Sequence, residues 1–118
     1  MHVMRRDTRL TTGKEYGEVY SRGRSVANRE LALYFLKQDS DVTRAGISIS
    51  RRIGSAVVRN RIKRLIKESF RKNEARITAG YDLVFIARHA AKGKSFHGVE
   101  KAFIDVLRKA ELLKEETR

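Results

Sequence analysis

The sequence predicts an α+β fold: one domain with elements in the order α-β-β-β-α-β-α and a central sheet packed by helices. Three observations carry this. Apolar side chains alternate over residues 31–36 and 44–50, and a third apolar stretch, 81–87, follows Gly80, as strands require. They recur at helical spacing over residues 56–73 and 95–113. The 118 residues contain no linker, repeat or low-complexity tract, and this length suits one domain with a modest core. About residues 1–8 and 114–118 are expected to be flexible ends.

The elements follow in order. Thr12, Gly13, Lys14 and Glu15 read as a capping box, with Thr12 at the N-cap and Glu15 three residues later. It opens a short helix to about Ser21, with Tyr16, Val19 and Tyr20 on one side, and Arg22, Gly23 and Arg24 end it. In residues 31–36, Leu31, Leu33 and Phe35 point one way and Ala32, Tyr34 and Leu36 the other, which predicts one buried and one half-buried face. Asp39, Ser40 and Asp41 make a turn. Residues 44–50 read as a strand with Ile47 and Ile49 inward and Ser48 and Ser50 outward. A helix then runs to about Asn73, with Ser55 as its N-cap. Residues 81–87 form the next strand. Ser95 caps a last helix whose apolar face is Val99, Ala102, Phe103, Val106, Leu107, Ala110 and Leu113.

The middle helix carries the functional signal. Residues 51–72 hold nine basic side chains and one acidic, Glu68, so this stretch contributes +8 of the chain's +13. At 100° per residue, Val58, Ile62, Leu65, Ile66 and Ser69 share one face, with Phe70 at its edge. Asn60, Lys63, Arg64, Lys67 and Arg71 share the opposite face. Solvated cations commonly cover the outer side of an amphipathic helix. Here they have almost no acidic partners at i,i+4, so like charges repel until a polyanion relieves them. Arg51 and Arg52 stand just before the helix, where they oppose its dipole at about 0.3–1 kcal/mol each if exposed. A phosphate at that end reverses the penalty.

Residues 46–54, GISISRRIG, followed by residues 56–65, AVVRNRIKRL, resemble the protein subunit of bacterial ribonuclease P. The shared features are the glycine-led strand with alternating serines, the two basic residues, and the helix containing Arg59, Asn60 and Arg61. The likeness extends to Arg9, Leu10, Tyr16, Val19, Tyr20 and Gly23, which look like the family's first helix. It includes residues 25–34, which look like its first strands, and 81–88, which look like its last. The resemblance implies a role in removing the 5′ leader of precursor tRNA, with a large RNA as catalyst. It implies that Arg51, Arg52, Arg59, Asn60, Arg61, Lys63, Arg64, Lys67 and Arg71 bind that catalytic RNA. A cleft lined by Tyr16, Tyr20, Tyr34, Ser48 and Ser50 would bind the single-stranded leader. Many family members have Phe at the first two cleft positions; Tyr keeps the π-face and adds a hydroxyl. Without the resemblance, packing of helix against sheet with wet hydroxyls is the more common fate of such tyrosines.

The resemblance also implies a left-handed β-α-β crossover over residues 44–87, as in a small-subunit ribosomal protein domain. Pattern alone would make it right-handed, as about 98% are. Mg2+ would be held by the RNA and substrate, since the acidic residues here form no clustered-carboxylate motif for a two-metal nuclease. Two other classes share the charge: another basic RNA-binding or ribosomal protein, and an autonomous nuclease. His2, His89 and His97 have no ligand spacing, and the absence of cysteine fits a reducing bacterial cytoplasm. No apolar run is long enough for a membrane span, and neither a membrane nor DNA is an expected partner.

Overall fold

A computed structural model describes residues 8–114; the outer parts of the two expected flexible ends, 1–7 and 115–118, lie outside the described residues. Their inner boundaries are anchored. Thr8 is 2% exposed, and the Lys114 N–H donates to the Arg76 carbonyl at 2.6 Å.

The helices are α1 (Gly13–Arg22), α2 (Ala56–Asn73) and α3 (Phe96–Lys109), and the strands are β1 (Arg24–Ala27), β2 (Leu31–Lys37), β3 (Arg44–Ser48) and β4 (Tyr81–Ala87). The chain order is the expected one. The sheet order is β1-β2-β4-β3, with β1/β2 and β2/β4 antiparallel and β3/β4 parallel. Helix α2 is therefore the crossover between the two parallel strands.

Strand alternation divides the core in two. Leu31, Leu33 and Phe35 of β2, Ala45 of β3, and Leu83, Phe85 and Ala87 of β4 pack with α2 and α3. Phe85 and Phe103 stack there with centroids 4.6 Å apart, worth about 0.5–1.5 kcal/mol beyond the area buried. On the other face, Val84 with half-buried Tyr34, Leu36 and Ile86 meets Leu10, Tyr16 and Val19. Helix α1 thus covers one side of the sheet, and α2 with α3 the other. Ile47 and Ile49 pack on the α2–α3 side as expected.

The caps are those the sequence predicts. Thr12 and Glu15 complete the capping box, Ser55 accepts from the Val58 N–H at 3.3 Å, and Ser95 accepts from Gly98 at 3.2 Å.

Four expectations need correction. Strand β3 ends at Ser48, because Ser50 leaves the sheet to cap a 3-10 turn, Arg51–Ile53, accepting from the Arg52 N–H at 3.1 Å. Phe70 is fully buried rather than at the helix edge, because α3 packs over that side of α2. Leu113 is not on α3: the helix ends at Lys109, Glu111 takes φ 62°, and Leu113 then pairs with Ile77. Arg9 and Leu10 precede α1. They run extended along β3, where Arg9 pairs with Ala45 and the Leu10 N–H donates to the Ala45 carbonyl at 3.0 Å.

Candidate nucleic-acid interface

Helix α2 buries Ile62, Ile66, Ser69 and Phe70 and turns its cations outward. Asn60, Arg61, Lys63 and Arg64 are exposed, as are Arg51 and Arg52 in the preceding 3-10 turn. Glu68, the only acid on the helix, pairs with Arg71 at 3.5 Å. Arg59 is in part structural: its Nε donates to the Gly54 carbonyl at 3.1 Å and closes the turn at the helix entrance. Lys67 is half-buried. Burial, and then the charges of Lys63 and Arg9, push its ammonium below the usual lysine range. Arg9 therefore belongs to the same positive surface, brought there by its bridge to β3. Sequence spacing does not reveal this, because the contact joins residues far apart in the chain.

The opposite side of the sheet holds the aromatic surface. Register places Arg44, Gly46 and Ser48 of β3 beside Asp82, Val84 and Ile86 of β4, all on the face that α1 covers. The Tyr16 ring lies directly over Gly46, where any Cβ would overlap it. Its hydroxyl accepts from the Ile47 N–H at 3.2 Å, and burial raises its pKa against the effect of that bond. Tyr20 is 39% exposed and meets Tyr34 edge-on, with centroids 5.1 Å apart. Tyr16, Tyr20, Tyr34 and Ser48 thus share one face. Ser50 does not: it is exposed at the turn beyond the strand.

A charged network docks the start of α1 on the sheet. Arg44 donates from Nε and Nη2 to the two oxygens of Asp82, at 2.9 and 2.7 Å, and from Nη1 to Glu15 at 2.9 Å. Asp82 is 1% exposed and also accepts from the Gln38 side chain at 2.8 Å. The Thr11 and Thr12 backbone N–H groups, assisted by Arg44, pull Glu15 from its ordinary 4.5 to about 2. Its pKa is lower folded than unfolded, so its contribution is complete above about pH 4.5 and is lost as pH falls from there towards 2. In denaturant titrations at pH 5, 4 and 3, Glu15→Gln should start less stable and lose less across that window; parallel curves would refute the coupling.

Among the described residues, no three His, Asp or Glu side chains converge as a metal site. The network's carboxylates are already engaged with Arg44.

An exposed cationic crossover helix on one side of a mixed sheet, with an aromatic face on the other, defines a single-domain RNA-binding protein of α+β type. The family model described as Ribonuclease P matches residues 4–111. The chain belongs to that family, the protein component of bacterial ribonuclease P, the accessory subunit of the ribonucleoprotein that removes the tRNA 5′ leader. It is 43% identical over 106 residues to the ribonuclease P protein component of Clostridium botulinum (strain Langeland), covering 89% of this chain and 96% of that one. To the component from Caldanaerobacter subterraneus subsp. tengcongensis it is 41% identical over 111 residues, covering 94% and 96%. Among solved structures, the Staphylococcus aureus RNase P protein superposes with a TM-score of 0.84 at 34% identity, covering 91% of this chain and 98% of that one. The Thermotoga maritima protein gives 0.80 at 30%, covering 86% and 96%. Such agreement requires the β3–α2–β4 crossover to have the same hand as in those structures. The reading as an unrelated basic RNA-binding or ribosomal protein is not favoured.

Proposed function

We propose that the outer face of α2, with Arg51, Arg52 and Arg9, seats the catalytic RNA of ribonuclease P, while the α1 face of the sheet holds the leader of precursor tRNA. The carrying observation is the exposure of Asn60, Arg61, Lys63 and Arg64 on a helix with one acidic residue. Such a face gains free energy when phosphates replace its own repulsion. Tyr20, exposed above Tyr34, adds a π-face suited to an unpaired base. Mg2+ in this reading is held by RNA and substrate. The protein's contribution is to screen repulsion between two RNAs and to grip the leader. The working site is the bacterial cytoplasm, where both RNAs are made.

Reconstitution with a bacterial ribonuclease P RNA tests this. The protein should lower the Mg2+ needed for cleavage of precursor tRNA, and protein alone should not cleave at any Mg2+ concentration. RNA-free cleavage that disappears when a carboxylate is mutated would overturn the division of labour.

A further inference from the structure

We propose that Arg44 is a positioning residue for leader recognition: through Glu15 it fixes α1 against β3 and so sets the spacing of the tyrosine surface. The inference rests on the leader lying on the α1 face.

Arg44 does not contact the leader in this reading. Its Nε, Nη1 and Nη2 all donate to carboxylates, two bonds to Asp82 and one to Glu15. The groove beside it is lined by Glu15, Glu18, Asp39 and Asp82 against Lys14 and Arg44, a net-acidic lining that does not favour a phosphate chain. What Arg44 does is join three elements. Asp82 anchors the guanidinium to β4, Arg44 itself lies on β3, and Glu15 is in the first turn of α1. The bidentate geometry to buried Asp82 leaves the guanidinium little freedom, so its third bond lands at a fixed place.

That place matters because Glu15 adjoins Tyr16. One residue after the ionic tie, the Tyr16 ring settles on Gly46 and its hydroxyl takes the Ile47 N–H. One turn later Tyr20 meets Tyr34. The two ties to β3 define where α1 starts on the sheet, and a rigid helix carries that placement to Tyr20. Loss of the ionic tie leaves the start of α1 held by Tyr16, Val19 and the Leu10 bond to Ala45, a looser seat that lets the helix tilt on the sheet. Stacking depends on ring placement, so a shift reduces leader affinity without touching the RNA-binding helix on the other side of the sheet.

Glu15→Gln is the cleaner variant. The amide oxygen can still accept at the cap, and Arg44 keeps Asp82, so the buried carboxylate stays paired. Arg44→Lys keeps the charge and removes the fork. Tyr20→Ala is the reference. Each is assembled into holoenzyme, and affinity for precursor and for mature tRNA is measured. Glu15→Gln and Arg44→Lys should each cut precursor affinity by about fivefold to tenfold, the net scale of one ordinary intramolecular hydrogen bond, and leave mature tRNA unchanged. In the Glu15→Gln background, Tyr20→Ala should cost less than it does alone. If Tyr20→Ala reduces the precursor preference but folded Glu15→Gln and Arg44→Lys do not, the positioning role is wrong while the leader site stands. Equal losses for both tRNAs make Arg44 structural only. If Tyr20→Ala also leaves the preference intact, the leader site falls and the positioning role with it.

Discussion

Replacing Arg61, Lys63 and Arg64 together with alanine should weaken assembly with the catalytic RNA by on the order of a hundredfold near physiological salt. The figure takes each lost phosphate contact as about 0.7–0.9 of a released counterion, worth roughly fourfold to fivefold in affinity at about 0.15 M salt. The slope of log affinity against log salt should fall by about 2–3, since each contact releases close to one counterion. All three side chains are exposed, and none faces the Ile62, Ile66 and Phe70 seam that joins α2 to the core. Folding should move the other way. Lys63 and Lys67 stand at i,i+4 as like charges, and alanine is the better helix former. The free triple variant should therefore melt no lower than the parent. Weaker assembly with unchanged or higher thermal stability is the signature of a true contact surface. An unaltered salt slope would move the RNA contact elsewhere on the protein. Arg59 is a poor substitute in this test, because its bond to the Gly54 carbonyl ties it to the helix entrance and its loss would mix folding with binding.

The fold was largely legible because its signals are local. Thr12 with Glu15, Ser55 and Ser95 name the starts of three helices by side-chain chemistry alone. Alternation at Leu31, Leu33 and Phe35 names a strand with one buried face. What escaped was set by contacts distant in sequence. Residues 44–50 alternate to their end, but Ser50 is claimed by a cap, which period-2 patterning cannot foresee. Leu113 fits the α3 face at i+14, but a left-handed turn at Glu111 diverts it to Ile77. The α2 face was readable from charge and period together. Arg9 was not, since only its bridge to Ala45 puts it beside Lys67. The Arg44 network was equally invisible: Glu15, Arg44 and Asp82 are scattered through the chain, and only the register of β3 with β4 assembles them. Tyr16 was read as one stacking ring among three. Its hydroxyl bond to Ile47 and its seat on Gly46 make it a docking residue of α1 as well.

That distinction decides how the leader surface should be tested. Tyr20→Ala should weaken binding of precursor tRNA to the holoenzyme by about 1–3 kcal/mol, roughly fivefold to 150-fold, if one base stacks on the ring. Binding of mature tRNA should hardly change, because it presents no unpaired leader. Tyr20 is suited to this use: at 39% exposure it contributes little to the core, and its contact with Tyr34 is edge-on, which leaves ring surface open. Tyr20→Phe should retain nearly full affinity, since the π-face survives and no bond to the hydroxyl is lost. Tyr16 needs the opposite expectation. Tyr16→Phe strips the Ile47 N–H of its acceptor, at about 0.5–1.5 kcal/mol of stability, and Tyr16→Ala also empties the space above Gly46. A Tyr16 and Tyr20 double alanine variant would thus confuse a loosened α1 with a lost stack. The informative comparison is Tyr20→Ala against Tyr20→Phe, each checked by thermal melt. If the folded alanine variant loses precursor and mature tRNA equally, Tyr20 only helps α1 cover Tyr34 and the leader lies elsewhere.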